Sequence, residues 1–409
     1  MKTARRVDLI EPFYVMECAK AADEIARGPS CDPARGGRPM IYLNIGEPDF
    51  TAPPAVQAAA AAAVAAGRTQ YTHATGLEPL RRAIARWYGE RFGLDIDPAR
   101  IVVTAGASAA LQLACLALVE PGDEVLMPDP SYACNRHFVT AAGGRAVLLP
   151  SGPHQRFQLS AEAVAAAWTP ATRGVLLASP SNPTGTSIDP AEMRRILDVV
   201  SSRGGFALVD EIYLALSFDD RYGVSALAHD APGGRDVVSI NSFSKYFNMT
   251  GWRLGWLVLP PGLVDPVERL AQNLYICASS IAQQAALACF EPESIAIFES
   301  RRAEFRRRRD FVVPALRSIG LDVPVMPDGA FYAWIDVSRL RPSSWDFAFE
   351  LMRSAQVALT PGRDFGRHGS ERWLRLSFAR SMGELQTAIE RLSLVLPQRV
   401  EAVSSVSGR

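Results

Sequence analysis

One lysine stands at the end of an apolar segment, among hydroxyl side chains and ahead of an arginine. In the stretch 238–256, VSINSFSKYFNMTGWRLGW, Lys245 follows Ser242 and Ser244, and Arg253 comes eight residues later. A desolvated lysine near other cations has a lowered pKa and can form a Schiff base with an aldehyde. Hydroxyls and a guanidinium can bind phosphate oxygens. The segment therefore suits a phosphate-bearing aldehyde, although on this motif alone an ordinary solvated loop lysine is the alternative.

The elements that must position this lysine form a repeating α/β pattern. Short, nearly continuous apolar runs alternate with helical stretches, which favours a mainly parallel sheet covered by helices on both faces. The runs are Ile101–Thr104, Glu124–Met127, Arg145–Leu149, Gly174–Ala178, Phe206–Val209, Val237–Ile240 and Leu254–Leu259. Ligands bind beside the carboxyl ends of the strands in such sheets. Polar residues follow several of these runs: Ser108, Tyr132, Asn182, Asp210, Tyr213 and Lys245.

Further motifs offer candidate ligands, each with a structural alternative. Asn182 lies in SPSNPTG, Asp210 in LVDEIY and Arg375 in WLRLSFA. A turn cap, a helix N-cap and a structural ion pair are the respective alternatives, and each stays open when the residue is taken singly. Gly46 in GEPDF would let the backbone approach a ligand closely, or would simply form a turn. Small residues after Ile101–Thr104 leave N–H groups at a helix start free to bind an anion.

Composition excludes several classes of protein. The 409 residues carry 43 basic and 43 acidic side chains, so charge gives no reason to expect a nucleic acid or an anionic membrane as partner. The six cysteines form no C-x-x-C pair and have no histidine at metal-site spacing. We therefore expect reduced cysteines, no metal and a cytoplasmic protein. The N-terminus lacks an apolar signal sequence, and no apolar run reaches membrane-spanning length.

The pattern of predicted strands and helices changes along the chain and predicts two domains and an N-terminal segment. The α/β pattern fills residues 51–290, the predicted large domain. In residues 291–409 a long helix, about Ser294–Leu316, precedes separate strands, which predicts a smaller α+β domain. Acidic residues alternate with the arginines of this helix, so a solvated face is favoured over a nucleic-acid patch. Residues 1–50 are expected to pack against the smaller domain.

The order and wording of these motifs resemble the class I/II aminotransferases, which are fold-type I pyridoxal-phosphate enzymes. The resemblance runs from IEPFYVME and GEPDF to RLSFA, nearly the whole chain, and its SxSK…R, NPTG and DExY motifs are specific. Residues 30–39 look like a small departure that touches no motif. The resemblance implies a mainly parallel seven-stranded sheet sandwiched by helices, together with a smaller α+β domain.

The resemblance implies a role for each candidate around the cofactor. Lys245 looks like the Schiff-base lysine, whose freed amine carries the proton from Cα as general base and then acid. Asp210 looks like the carboxylate that keeps the pyridine ring protonated, which makes the ring an electron sink. Tyr213 and Asn182 would bond the ring hydroxyl oxygen, and Tyr132 would stack on the ring. The implied phosphate ligands are the N–H groups of Ala107 and Ser108, with Ser242, Ser244 and Arg253.

The same resemblance implies how substrate and a second subunit are held. Arg375 would pair with the substrate α-carboxylate near Asn182, and Gly46 would lie beside the substrate. Tyr71 resembles the residue that reaches the phosphate from the neighbouring subunit, so we expect a homodimer. The implied partners are a small-molecule amino acid and a 2-oxo acid, which react in a ping-pong transamination.

The expected preference for a substrate side chain depends on one residue that differs from some relatives. Some aspartate-specific relatives carry a lysine near the position of Ser108, where the ammonium meets a distal carboxylate, and this chain has serine. Arg136 and Arg68 are the other candidates for that role. We therefore expect a neutral or aromatic amino donor, with an acceptor such as 2-oxoglutarate or pyruvate.

Three rival interpretations are weighed against transamination. A lyase or decarboxylase of the same fold could use the same residues, because the bond broken at Cα depends on substrate orientation. Related domains also serve as non-catalytic effector-binding modules in transcription regulators, behind a DNA-binding segment, whereas here the similar region begins near Arg6. A nicotinamide-dependent dehydrogenase needs G-x-G-x-x-G, and GASAA at 106–110 lacks that spacing.

Overall fold

The chain folds into a seven-stranded sheet, a three-stranded sheet and a pair of short strands, with helices between them. The computed structural model of the chain describes residues 2–229 and 236–406, with their side chains except at 236 and 397–406. The strands, in chain order, are β1 (Ile41–Tyr42), β2 (Ile101–Thr104), β3 (Glu124–Asp129), β4 (Arg145–Pro150), β5 (Thr172–Ala178), β6 (Phe206–Asp210), β7 (Asp236–Ser242), β8 (Gly255–Val258), β9 (Tyr332–Asp336), β10 (Val357–Ala358), β11 (Thr360–Pro361) and β12 (Trp373–Ser377).

The large sheet has seven strands in the order β2-β8-β7-β6-β5-β3-β4. Neighbours from β7 through β4 run parallel, and β8 is antiparallel to both β2 and β7. All seven apolar runs identified in the sequence are strands of this sheet. The mainly parallel seven-stranded architecture is therefore confirmed. The reversal at β8 agrees with the connection 243–254, which contains no α-helix, whereas parallel crossovers usually contain one.

Helices cover both faces of the large sheet. The α-helices are α1 (Arg5–Asp8), α2 (Tyr14–Ala26), α3 (Pro54–Ala65), α4 (Glu78–Phe92), α5 (Ala107–Leu118), α6 (Ala133–Ala142), α7 (Ala161–Ala167), α8 (Pro190–Ser202), α9 (Pro261–Leu274), α10 (Ser280–Ala286), α11 (Pro292–Ser318), α12 (Ser344–Ser354) and α13 (Met382–Val406). Alternate strand residues bury on opposite faces: Val209 packs in the core under α4 and α8, and Leu208 packs in the core under α5 and α9. This alternation explains why the strands read as continuous apolar runs.

The smaller sheet is antiparallel and has the order β11-β12-β9. Near the N-terminus, β1 pairs in parallel with β10, so that Ile41 lies opposite Val357. Helix α2 packs on α12 through a buried cluster that includes Cys18 and Met352. Residues 1–50 thus contact elements of the C-terminal part of the chain, while the division of the chain at residues 50 and 290 stays a prediction.

The structure also shows the state of the cysteines, the polarity of the helices and the loop at residues 30–39. All six cysteines are unpaired, and Cys18, Cys31, Cys115 and Cys289 are buried. In the segments 2–229 and 236–406, no helix is both long and apolar enough to cross a membrane. Residues 30–39 form a tight loop that contains the short 3₁₀ turn Pro33–Arg35.

Candidate active site

A cavity of about 500 Å³ lies at the carboxyl ends of the parallel strands. Every residue predicted to bind the cofactor or the substrate α-carboxylate lines it, except Tyr71. These lining residues are Gly46, Ala107, Ser108, Tyr132, Asn182, Asp210, Tyr213, Ser242, Ser244, Lys245, Arg253 and Arg375. Asp210 and Ser242 end neighbouring strands β6 and β7, which explains how residues distant in sequence converge.

The start of helix α5 forms one end of the cavity. Gly106 precedes the helix with φ +84° and offers no side-chain cap, so N–H groups of the first turn have no partner within the helix. A Cβ atom on Gly106 would lie 2.7 Å from Nη2 of Arg253. A Cβ on Gly255 would lie 2.8 Å from the backbone nitrogen of Ala107. The two glycines therefore let a guanidinium and a strand approach the helix start, an arrangement suited to the predicted binding of an anion.

Lys245 is a buried cation that lines the cavity. Its ammonium donates a hydrogen bond to the carbonyl oxygen of Gly46 at 2.7 Å and lies 5.9 Å from the centre of the Tyr213 ring. Burial, opposed by the charge of Glu47 and reinforced by that of Arg375, lowers the pKa of Lys245 to about 8. A lysine with this pKa exists partly as the free amine near neutral pH, the form that can act as a base or nucleophile.

Asp210 is a buried carboxylate with few donors around it. It is 4 % exposed, and the N–H of Ile212 donates to Oδ1 at 3.2 Å. Burial, reinforced by the adjacent Glu211 and opposed by the Ile212 N–H and Lys245, raises the pKa of Asp210 to about 7. Glu211 is different, because Ser225, Ser239 and the Ala226 N–H all donate to it. Asp210 is therefore the carboxylate that a cation in the cavity would stabilise.

Arg375 is a buried cation whose bonded partners are neutral. Among the described residues, it donates to Oδ1 of Asn182 at 2.9 Å and to the carbonyl oxygen of Asn44 at 2.6 Å. Its guanidinium lies 4.6 Å from the centre of the Tyr332 ring, and its Nε has no hydrogen-bond partner. A buried guanidinium with neutral partners has the charge and the donors to bind a carboxylate, which agrees with the predicted role of Arg375.

Comparison with known proteins decides the family. The model of the aminotransferase class I and II family matches residues 38–392. A valine–pyruvate aminotransferase from Mycobacterium tuberculosis is 37 % identical over 390 residues, which are 95 % of this chain and 97 % of the relative. The chain belongs to the class I and II aminotransferases.

Solved aminotransferases have the same fold. The crystal structure of an aminotransferase from Mycobacterium tuberculosis matches with a TM-score of 0.91 and 37 % identity, over 97 % of this chain and all of that one. The aspartate aminotransferase from Thermus thermophilus with maleate matches with a TM-score of 0.87 and 32 % identity, over 97 % and 100 % of the two chains. The fold-type I architecture and transaminase chemistry are thereby confirmed, and the nicotinamide and non-catalytic alternatives are set aside.

Aminotransferases of this family use pyridoxal phosphate, and the donor set of the cavity fits it. The uncapped start of α5 with Arg253 matches the phosphate, the buried Asp210 matches a protonated ring nitrogen, and Lys245 matches the aldehyde. These three groups line one cavity. The role of each residue nevertheless stays a prediction, because the comparisons identify the family and not the individual contacts.

The cavity of the aminotransferase contains groups that the sequence motifs did not indicate. The Tyr332 and Tyr213 hydroxyls are 2.7 Å apart, and a Cβ on Gly46 would collide with the Tyr332 hydroxyl. Phe13 and Met16 of the N-terminal segment also line the cavity. Tyr332 belongs to the apolar strand β9, whose sequence is typical of a hydrophobic core. No sequence signal therefore indicates that its hydroxyl faces Tyr213.

Three sequence candidates lie outside the cavity. Tyr71 is 78 % exposed and is not among the lining residues, so its contact with a partner's site stays a prediction. Arg68 is exposed as well. Arg136 is buried, but it donates to the carbonyl oxygen of Asp364 at 3.0 Å and to Glu11 at 3.4 Å. Within this chain, neither arginine lines the substrate cavity.

Proposed function

We propose that this aminotransferase moves the amino group of a neutral or aromatic L-amino acid to a 2-oxo acid such as pyruvate or 2-oxoglutarate. The observation that carries the proposal is an apolar section of the cavity wall. Its residues are Phe13, Val15, Met16, Ala19 and Ile45. Among the described lining residues, Lys245, Arg253 and Arg375 are the cations, and all three have proposed partners in the cofactor or the substrate α-carboxylate.

An acidic side chain would find no partner at this wall. Desolvating a carboxylate without a cation is costly, and Ser108 stands where some aspartate-specific relatives carry a lysine. The similar mycobacterial protein is a valine–pyruvate aminotransferase by name, which agrees with an apolar donor. The relatives also include aspartate aminotransferases, so the cavity wall rather than the family supports this substrate class.

The proposed chemistry assigns one task to each polar residue. Pyridoxal phosphate supplies the aldehyde that condenses with amines and the ring that accepts the electron pair released at Cα. Lys245 takes the proton from Cα as a general base and later donates it again as a general acid. Asp210 holds a positive charge at the ring nitrogen, and Tyr213 with Asn182 bonds the ring hydroxyl oxygen. Arg375 orients both substrates through the carboxylate that they share.

A panel of amino donors tests the substrate class. We expect kcat/KM for valine, leucine or phenylalanine to exceed that for aspartate by at least about tenfold, because aspartate must bury a second carboxylate without a partner. The measurement is initial-rate kinetics with pyruvate and 2-oxoglutarate as acceptors.

A gain-of-function variant sharpens the same test. Ser108→Lys keeps the backbone N–H and adds an ammonium near the cavity, so the aspartate-to-valine ratio of kcat/KM should rise by about tenfold. Ser160→Lys, which changes a serine outside the cavity, is the matched control and should leave the ratio alone. Fastest turnover of aspartate by the unmodified enzyme would contradict the proposal.

We also propose that the active unit is a homodimer in which Tyr71 completes the phosphate site of the partner subunit. The support is its exposure on a chain whose cavity it does not line. Tyr71→Ala and Lys245→Ala chains should each be inactive or nearly so. Refolded together, they should regain about one quarter of native activity, because half of the dimers are hybrid and each hybrid has one intact site.

Co-refolding separates this proposal from its alternatives. Two Lys245→Ala chains refolded together are the control and should stay inactive. No recovery in the mixture, or full activity of a strictly monomeric enzyme in light scattering, would show that Tyr71 does not act across an interface.

A further inference from the structure

The first turn of helix α2 is capped by a carboxylate from a distant part of the chain. Phe13 precedes the helix and makes no side-chain cap. Instead the N–H of Tyr14 donates to Oδ1 of Asp364 at 2.8 Å, and the N–H of Val15 donates to Oδ2. Asp364 is 1 % exposed and lies in the loop before β12. A single buried side chain therefore satisfies two of the free N–H groups of this helix.

The capped turn is also part of the substrate wall. Phe13, Val15 and Met16 line the cavity, and the Phe13 ring lies edge-on to Tyr132, with 6.3 Å between ring centres. Val15 is buried against Trp334 and Phe365. Movement of the first turn would therefore move the apolar surface that receives a substrate side chain.

Charged groups from several elements hold Asp364 in place. Arg136 on α6 donates to its carbonyl oxygen at 3.0 Å and also reaches Glu11 at 3.4 Å. Arg367 pairs with the same Glu11 at 2.6 Å. Burial raises the pKa of Asp364 to about 6, although the N–H groups of Tyr14 and Val15 and the charges of Arg375 and Arg136 favour the ionised carboxylate. The titratable groups that face Asp364 beyond these are the thiols of Cys18 and Cys134.

We propose that Asp364 is a positioning residue for substrate specificity: its ionised carboxylate fixes the first turn of α2, and through it the Phe13–Met16 wall that receives apolar side chains. This inference rests on the proposed substrate class. Asp364 lies at the start of the helix and is not a lining residue of the cavity, so it acts through the wall. Because it is acidic and buried, its protonation removes an acceptor and loosens the wall.

The pH dependence of donor preference gives the first test. In the unmodified holoenzyme, the leucine-to-alanine ratio of kcat/KM should fall as pH drops through about 6, where Asp364 protonates. A ratio cancels the titration of Lys245 and of the cofactor, because both donors use them equally. Alanine, with one methyl group, barely contacts the wall, so its turnover should change far less.

Asp364→Asn provides the second test. The amide keeps one acceptor oxygen but turns an NH₂ donor toward the other N–H, so one cap bond is lost. We expect KM for leucine to rise about fivefold with kcat unchanged, and the leucine-to-alanine ratio to lose its pH dependence. Glu17→Gln is the matched control, since Glu17 lies in the first turn of the same helix and, among the described residues, forms its ion pair with Lys20 on the surface.

Amide hydrogen exchange of the holoenzyme separates the steps. Exchange at Tyr14 and Val15 should be faster in Asp364→Asn and unchanged in Glu17→Gln. Unchanged exchange in Asp364→Asn would overturn the cap, and faster exchange with an unaltered leucine-to-alanine ratio would overturn the specificity role. A parent enzyme that prefers aspartate would instead refute the proposed substrate class, while the exchange result would still decide the cap.

Discussion

Replacing Lys245 with alanine is expected to lower kcat by about 10⁴-fold, the upper end of what a positioned acid–base group contributes. Alanine leaves no base where the lysine amine lies, bonded to the carbonyl oxygen of Gly46 and 5.9 Å from the centre of the Tyr213 ring. The cofactor should still bind, since the anion site at α5 and the carboxylate of Asp210 remain. The measurement combines turnover with the visible absorbance of the purified protein.

The scarcity of lysine makes this experiment unusually clean. The chain has three lysines, Lys2, Lys20 and Lys245, and Lys20 lies on the surface beside Glu17. Borohydride treatment of the parent enzyme should attach the cofactor to the one peptide that contains Lys245. Lys20→Ala should keep full turnover and the same labelled peptide. Transamination by Lys245→Ala at the parent rate would show that another group carries the proton.

The lowered pKa of Lys245, on which this prediction depends, results from burial and from the charges around the cavity. Burial and the cations Arg253 and Arg375 disfavour the ammonium, whereas Glu47 and Asp210 favour it. The pKa of Asp210 shifts in the opposite direction, because burial raises it to about 7. The two groups thus approach each other in pKa from opposite directions, which is the pattern of a site that moves protons near neutral pH.

The residues that sequence analysis could predict are those attached to regular strands. Asp210 and Ser242 end apolar runs, and parallel strands bring their carboxyl ends to one edge, so their convergence follows from the pattern alone. The same logic identified Asn182 after β5 and Tyr132 after β3. Each of these side chains lines the cavity.

The groups that escaped prediction are brought in by packing between distant segments. Tyr332 reads as one more aromatic residue of a small antiparallel strand, and only the fold lays its hydroxyl against Tyr213. Asp364 lies in PGRDFG, which reads as a turn, although it caps a helix 350 residues away. Loop residues that act on other elements carry no periodic signal, so the substrate wall could not be predicted from the sequence.

The second large effect concerns the carboxylate that amino donor and 2-oxo acid share. Arg375→Lys should lower kcat/KM for both substrates by about 10²- to 10³-fold, the range seen when one partner of a buried charge pair is lost. A lysine keeps the charge but cannot present two parallel N–H donors to a carboxylate while bonding Asn182 and Asn44. KM should therefore rise for the amino acid and the oxo acid together.

A substrate without the carboxylate isolates this contact. The decarboxylated amine of the best donor has nothing to offer Arg375, so its slow reaction should proceed at equal rates in the parent and in Arg375→Lys. Arg372→Lys, three residues earlier and paired with Asp336 on the surface, is the matched control and should keep parent kinetics. If Arg375→Lys slowed the amine as much as the amino acid, the guanidinium would be supporting the cavity as a whole rather than gripping one carboxylate.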